Sequence, residues 1–169
     1  MSYAIPNDAE LRGLALQVGE RLLVEHLSLV TAESCTGGWI AKCMTDVPGC
    51  SAWFECGIAA YSYEAKQALL GVRPDTLLKY GAVSEETVLE MVSGALTHGG
   101  ASVSVAVTGI AGPGGGTDDK PLGSVWLAWK RRGGYPRAEL HRFEGDRDQV
   151  RRQTVAVALH GVLKTLTQI

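Results

Sequence analysis

The chain of 169 residues lacks the features that mark membrane, secreted and nucleic-acid-binding proteins. No apolar run approaches the length needed to cross a bilayer, and the N-terminus has no charged and apolar zones of a signal peptide. The net charge is −2, with neither a basic face nor an acidic tail. We therefore expect a cytoplasmic protein with no nucleic-acid partner and no membrane partner.

Metal and disulfide patterns are also missing. The four cysteines form no C-x-x-C pair, and the four histidines show no ligand spacing. Neither a metal site, a cofactor nor a disulfide framework is expected, and the cysteines are typical of small buried apolar side chains. The cysteines are Cys35, Cys43, Cys50 and Cys56, and the histidines are His26, His98, His141 and His160.

Apolar residues make up 46% of the chain and charged residues 20%, which is typical of a globular domain. Helical and strand patterns alternate over the first two thirds, and a hairpin follows. This order predicts an α/β fold, a three-layer α/β/α sandwich with a mixed sheet, in one domain over residues 1–169. Strands are predicted at 27–31, 53–61, 101–107, 124–130 and 137–143, and helices after Asn7 or Asp8, after Ser34, at 64–70 and 74–80, after Ser84 and after Asp146.

The segment Thr-Ala-Glu-Ser-Cys-Thr-Gly-Gly at 31–38 lies between a predicted strand and a predicted helix. Ser34 is thus placed at a strand-to-helix turn, which can present a hydroxyl to the first free N–H groups of the helix. Such groups stabilise an anion or a developing oxyanion. Gly37 and Gly38 permit close approach of a ligand to the backbone. Alternatively, Ser34 or Thr36 only caps the helix.

A serine nucleophile needs a base, and no histidine lies in a segment typical of a site. A lysine can serve if burial lowers its pKa, and Lys66 follows a strand-to-helix junction of the same kind as Ser34. Tyr61, at the end of the second strand, can bridge the two side chains or orient the substrate. The alternatives are a solvated lysine and a tyrosine packed at the sheet edge.

A glycine-rich loop, residues 108–116, follows the third predicted strand. It matches neither the Walker A nor the G-x-G-x-x-G pattern, which excludes these motifs for ATP and dinucleotides. Its glycines favour close approach to a ligand, although a flexible surface loop is the alternative.

The last predicted helix begins with cationic residues, which are unfavourable beside the positive end of a helix dipole. Arg147 and Arg151 lie four residues apart on one face. A bound anion such as a phosphate accounts for both. Pairing with Asp146, Asp148 or Glu144 is the other interpretation.

Taken together, these segments resemble the CinA C-terminal-domain family over essentially the whole chain. The motifs are Thr-Ala-Glu-Ser-Cys-Thr-Gly-Gly at 31–38, Tyr-Ser-x-x-Ala-Lys at 61–66, Gly-Ala-Val-Ser at 81–84, Gly-Ile-Ala-Gly-Pro-x-Gly-Gly at 109–116, Lys-Pro-x-Gly at 120–123 and Gly-Asp-Arg at 145–147.

The resemblance implies hydrolysis of the carboxamide of nicotinamide mononucleotide to nicotinate mononucleotide and ammonia, without a metal or cofactor. It implies Ser34 as the nucleophile, Lys66 as the base and Tyr61 as the partner of the lysine. Tyr63 stands where a smaller residue such as Asn is expected, so either tyrosine can face Lys66. The substrate is a small nucleotide, and a homo-oligomer is expected. The residues implied in substrate binding are Thr36, Gly37, Gly38, Thr108, Gly109, Gly112, Gly114, Arg147 and Arg151.

Two other hypotheses remain at this point. A non-catalytic nucleotide-binding or regulatory module would keep the fold and the glycine-rich loop but not need the serine and the lysine. A hydrolase that uses Cys35 is the other, because a thiolate is favoured at a helix N-terminus.

Overall fold

The computed structural model describes residues 4–167; residues 1–3 and 168–169, the ends of the predicted domain, lie outside the described residues. The described residues form six α-helices and five strands, and a 3₁₀ turn at Cys50–Ala52 precedes β2. The elements are α1 (Asp8–Val24), β1 (Leu29–Glu33), α2 (Trp39–Thr45), β2 (Phe54–Ala59), α3 (Tyr63–Leu70), α4 (Pro74–Tyr80), α5 (Glu85–Gly99), β3 (Val103–Gly109), β4 (Ser124–Arg131), β5 (Arg137–Arg142) and α6 (Arg147–Thr167).

Side-chain caps define where most of the long helices begin. Asn7 caps α1 in a capping box with Glu10, and Ser84 accepts the Thr87 N–H at the start of α5. Asp146 accepts the Gln149 N–H at the start of α6. The predicted starts of these three helices are therefore confirmed.

The sheet has the strand order β2-β1-β3-β4-β5. β1 pairs in parallel with both β2 and β3, whereas β3–β4 and β4–β5 are antiparallel. The first three strands therefore end at the same edge, which is where ligands bind in open α/β sheets. The predicted hairpin, β4 and β5, forms the antiparallel part of the sheet.

Helices cover both faces of this sheet. One core joins α1, α2 and α6 to sheet residues such as Val105 and Leu127, and the other joins α3, α4 and α5 to residues such as Ala32 and Ala106. Close packing of α5 is possible because β3 presents small side chains on that face, and the Ser104 hydroxyl donates to Val92 O at 2.8 Å. The predicted three-layer α/β/α fold with a mixed sheet is confirmed. Within residues 4–167, no helix combines the length and apolarity needed to span a bilayer.

Two predicted strands were placed two residues too early. β1 was expected at 27–31 and is Leu29–Glu33, and β3 was expected at 101–107 and is Val103–Gly109. The apolar pattern misled because buried polar residues, Thr31 and Glu33, complete β1. Ser34 consequently follows the last strand residue directly.

Candidate active site

The carboxyl end of β1 is fixed by both of its neighbouring strands. Glu33 is in register with Ala59 of β2 and with Val107 of β3. The Ser34 N–H donates to Val107 O at 3.0 Å, and the Ala60 N–H donates to Glu33 O at 2.9 Å. The segment that leads to α3 therefore begins beside Ser34.

Lys66 lies in the first turns of α3, which is capped by Ser62, and its side chain is fully buried. Its Nζ lies 2.9 Å from Ser34 Oγ, 2.9 Å from Ala60 O and 2.8 Å from Tyr61 O. These three contacts include no carboxylate. The two side chains that the sequence placed at similar junctions are thus in direct contact.

Burial changes the pKa values of two side chains near this contact. It favours the reactive neutral form of Lys66 and disfavours the reactive thiolate form of Cys35. Burial lowers the pKa of Lys66 from 10.5 to about 8, so the neutral amine becomes accessible near physiological pH. Burial, followed by the negative charge of Glu33, raises the pKa of the Cys35 thiol to about 12. The expectation of a favoured thiolate at Cys35 is therefore wrong: the thiol is buried and stays protonated.

The segment from Ser34 to Gly38, which we call the nucleophile turn, carries the hydroxyl. The Gly37 N–H donates back to Ser34 O at 3.1 Å, and Gly37 and Gly38 have φ values of 62° and 96°, which favour glycine. Among residues 4–167, no acceptor is found for the main-chain N–H of Thr36. Thr36 is fully buried, so this N–H is an enclosed donor without a partner among the described residues.

Glu33 is a functional candidate that the sequence reasoning missed. Its side chain is 1% exposed and accepts the Thr36 hydroxyl at 2.7 Å, the Ile40 N–H at 2.7 Å and the Ala41 N–H at 3.0 Å. Burial raises the pKa of Glu33, while these hydrogen bonds act in the opposite direction. The available signal was an acidic residue at the end of an otherwise apolar strand, directly before the serine.

Glu33 changes the expected role of α2. The first N–H groups of this helix were expected to face a ligand, but two of them donate to the Glu33 carboxylate. Neither Ser34 nor Thr36 caps the helix, because its N-cap is Gly38. Any stabilisation of an oxyanion must therefore come from the nucleophile turn rather than from the helix itself.

The two tyrosines do not contact Lys66 through their hydroxyls. Tyr61 is 64% exposed, it meets Lys66 only through its carbonyl oxygen, and its hydroxyl accepts from Arg147 Nη2 at 3.3 Å. The Tyr63 hydroxyl accepts the Ala82 N–H at 3.3 Å. The Tyr61 hydroxyl therefore does not bridge the serine and the lysine. It lies at the mouth of the site.

Arg147 connects the start of α6 to the glycine-rich loop. Its Nη1 donates to Gly112 O at 2.7 Å, and its Nη2 reaches the Tyr61 hydroxyl. A cavity of about 460 Å³ lies beside this contact. It is lined by Ala111, Gly112, Arg147 and Val150, and also by the acidic residues Glu144 and Asp146, among others.

Arg151 donates to two carbonyl oxygens of the nucleophile turn, from Nε to Cys35 O at 3.0 Å and from Nη2 to Thr36 O at 3.1 Å. The alternative of pairing with nearby acids describes Arg152 instead, whose Nε binds Asp148 at 2.7 Å. Within the described part of the chain, neither Arg147 nor Arg151 forms an ion pair.

The glycines of the loop differ in what surrounds them. A Cβ on Gly109 would lie 2.6 Å from Val125 Cγ2, so packing against β4 accounts for that glycine. Gly114 has open space around its Cα, whereas Gly112 supplies the carbonyl that Arg147 binds. The space for close approach of a ligand to the backbone therefore lies at the outer part of the loop, around Gly114.

The two threonines expected to bind substrate have buried side chains. The Thr36 hydroxyl donates to Glu33, and the Thr108 hydroxyl donates to Ala82 O at 2.8 Å. Both hydroxyls are thus used in bonds to neighbouring segments of the chain. Across residues 4–167, no three His, Cys, Asp or Glu side chains converge in a way that could hold a metal ion.

The fold and this site define a class of protein: an α/β/α sandwich with a buried serine–lysine contact at the carboxyl edge of a mixed sheet. The model of the CinA C-terminal domain matches residues 11–166. The chain therefore belongs to the CinA C-terminal-domain family, as its sequence motifs indicated.

Two similar proteins are each named nicotinamide-nucleotide amidohydrolase PncC. The protein from Escherichia coli (strain K12) is 48% identical over 161 residues, which cover 95% of this chain and 98% of the relative. The protein from Pseudomonas putida is 51% identical over 156 residues, covering 92% and 96%. A solved structure, the competence/damage inducible protein CihA from Agrobacterium tumefaciens, superposes with a TM-score of 0.91 at 42% identity and covers 98% of this chain and 99% of that one.

Proposed function

We propose that this chain hydrolyses the carboxamide of nicotinamide mononucleotide to nicotinate mononucleotide and ammonia, with Ser34 as the nucleophile and Lys66 as the base. Relatives of nearly equal length that are 48% and 51% identical to this chain are named for this amidohydrolase activity. Their names support the amidase class. The observation that carries the mechanism is the set of three contacts made by Lys66 Nζ.

These contacts suit a neutral amine. A neutral lysine has two N–H bonds and one lone pair, and Ala60 O and Tyr61 O can only accept. When both N–H bonds donate to these carbonyls, the lone pair faces the third contact, Ser34 Oγ. Because burial lowers the pKa of Lys66 to about 8, this neutral form is accessible at the pH of the reaction. The geometry supports proton transfer from the serine to the lysine.

The steps then follow the chemistry of serine amidases. As Ser34 Oγ attacks the carboxamide carbon, its proton passes to Lys66. The tetrahedral intermediate collapses when the lysine returns the proton to the leaving nitrogen, and ammonia departs. Water, deprotonated by the same amine, then attacks the acyl ester and releases the carboxylate product and the free serine.

The negative oxygen of the tetrahedral intermediate needs a donor that is in place before the reaction. We assign this task to the Thr36 N–H of the nucleophile turn, which has no acceptor among residues 4–167 and lies two residues after Ser34; the N–H groups of Cys35 and Gly38 in the same turn also have none. The α2 N–H groups are excluded from it by Glu33.

Arg147 is the best-placed residue for the substrate phosphate. It borders the cavity of about 460 Å³, and it is held by the Gly112 carbonyl and the Tyr61 hydroxyl, neither of which neutralises its charge. A guanidinium without a carboxylate partner favours a phosphate dianion. Tyr61 connects this cation to Lys66, since its hydroxyl accepts from Arg147 and its carbonyl oxygen lies 2.8 Å from Lys66 Nζ.

A non-catalytic nucleotide-binding module remains the alternative. Such a module would bind nucleotide through the loop and Arg147 without needing the Lys66 amine buried against Ser34. Holding a lysine fully buried without an acid partner is unfavourable for folding, so the contact between these residues supports an enzyme.

Ammonia release from nicotinamide mononucleotide tests the proposal, with mass spectrometry to detect nicotinate mononucleotide. Free nicotinamide serves as the control substrate, and Ser34→Ala serves as the control protein. We expect turnover of the mononucleotide by the wild type only. Binding of the nucleotide without ammonia release by the wild type would favour the non-catalytic module.

A further inference from the structure

The nucleophile turn is held by an arginine from the other end of the chain. Arg151 lies 116 residues after Cys35 and 115 after Thr36, yet its Nε and Nη2 donate to the carbonyl oxygens of these two residues at 3.0 and 3.1 Å. Its guanidinium also lies over the Trp39 ring, 5.3 Å from the centroid. The side chain is therefore fixed on α2 and on the turn at the same time.

We propose that Arg151 is a positioning residue that orients and polarises the nucleophile turn, and that it does not bind the substrate phosphate. This inference rests on the proposed function of Ser34. It assigns Arg147 and Arg151, two of the three arginines of α6, different tasks, since Arg147 faces the loop and the cavity whereas Arg151 faces the turn.

The physical reason lies in the peptide groups that the guanidinium touches. A cation bound to Cys35 O withdraws electron density from the peptide that contains the Thr36 N–H. This N–H becomes a stronger donor, because hydrogen bonds in a chain polarise one another. It is the same N–H that lacks an acceptor within residues 4–167 and that we assign to the oxyanion.

The second contact fixes the shape of the turn. The cation on Thr36 O polarises the next peptide, whose N–H belongs to Gly37 and donates to Ser34 O at 3.1 Å. Glu33 binds the Thr36 hydroxyl at 2.7 Å. The turn is thus held through Thr36 by a carboxylate at the hydroxyl and by a guanidinium at the carbonyl.

The neighbouring arginine provides a matched control. Arg152 lies over the same Trp39 ring at 5.0 Å, but it pairs with Asp8 and Asp148 and makes no contact with the nucleophile turn. The variants Arg151→Gln and Arg151→Lys are therefore compared with Arg152→Gln. Lysine retains the charge but cannot donate to two carbonyls in the fork geometry.

We expect Arg151→Gln to lower kcat about ten- to a hundredfold, less than the roughly hundred- to thousandfold loss of an oxyanion donor itself, because the donor stays in place. Arg151→Lys should fall between this variant and the wild type, and Arg152→Gln should retain wild-type kcat. KM for nicotinamide mononucleotide should not change, and the riboside, which lacks the phosphate, should lose the same factor. A loss confined to the mononucleotide would overturn the inference and make Arg151 a phosphate ligand.

A second measurement needs no nucleotide and separates this inference from the proposed function. Phenylmethanesulfonyl fluoride sulfonylates an activated serine: the Oγ–S bond forms, the S–F bond breaks, fluoride leaves and the serine proton goes to Lys66. We expect intact-mass analysis to show slower modification of Ser34 in both Arg151 variants than in Arg152→Gln. Equal labelling rates in all three variants would overturn the role of Arg151. If the wild type does not hydrolyse the mononucleotide but the Arg151 variants are still labelled more slowly, only the proposed substrate is contradicted.

Discussion

Lys66 Nζ lies 2.9 Å from Ser34 Oγ, although 32 residues separate the two along the chain. The contact forms because β1 and β2 are parallel neighbours, so the turn after β1 and the helix after β2 begin at the same edge of the sheet. The Ala60 and Tyr61 carbonyls then fix the direction of the amine. Because of this contact, the protonation state of Lys66 decides whether its amine can accept a proton from Ser34.

The first prediction concerns the pH dependence of turnover. Protonated Lys66 cannot accept the serine proton, and burial lowers its pKa to about 8. The rate should therefore rise with pH and level off above about 8, since the active form is the deprotonated one. A kcat/KM profile from pH 6 to 10 would measure this. Lys66→Arg should be inactive throughout, because the guanidinium stays charged. An active Lys66→Arg enzyme, or a profile that is flat across this range, would contradict the base role.

The second prediction separates the two neighbouring nucleophile candidates. Ser34→Ala should lower kcat by at least about a thousandfold, whereas Cys35→Ser should retain most activity. The reason is that Cys35 is buried and burial raises the pKa of its thiol to about 12, so no thiolate forms. Steady-state kinetics of both variants would measure this, with circular dichroism to confirm folding. Inactivation of the wild type, but not of Cys35→Ser, by iodoacetamide would assign the chemistry to the thiol.

The third prediction concerns Arg147 and the phosphate of the substrate. Arg147→Ala should lose about 1.5–3 kcal/mol of binding, or roughly ten- to a hundredfold in kcat/KM for the mononucleotide. The riboside should lose much less, since it offers no phosphate. The comparison of both substrates in the wild type, Arg147→Ala and Arg152→Gln would measure this effect. Equal losses on the two substrates would instead assign Arg147 to holding the glycine-rich loop through Gly112.

The fourth prediction concerns the buried carboxylate before the nucleophile. Glu33→Gln should lower the free energy of unfolding by about 1–3 kcal/mol, because an amide NH₂ cannot accept the main-chain N–H groups that the carboxylate accepts. Glu10→Gln is the matched control, since Glu10 also accepts a main-chain N–H, from Asn7, but at an exposed helix start. Urea denaturation of both variants would measure the difference. A smaller loss for Glu33→Gln than for Glu10→Gln would contradict the role of Glu33 in holding α2.

The sequence by itself determined the layers of the fold, and it predicted the serine and the lysine that the structure brings into contact. Helical and strand periodicities are local properties, so the alternation of elements and the late hairpin could be predicted without tertiary contacts. The motifs around Ser34 and Lys66, together with the absence of ligand spacing among the histidines and cysteines, indicated a serine–lysine site. The strand boundaries were less accurate because the buried polar residues Thr31 and Glu33 continue β1 beyond the point where the apolar pattern stops.

Only the tertiary structure decided which groups satisfy one another at this site. A periodic pattern contains no information about hydrogen bonds between distant segments, so Glu33 at α2 and Arg151 at the nucleophile turn could not be predicted. Neither could the use of the Tyr61 carbonyl, rather than its hydroxyl, by Lys66. The pKa of that lysine, too, depends on its complete burial beside Ser34, Ala60 and Tyr61, which a local pattern does not reveal.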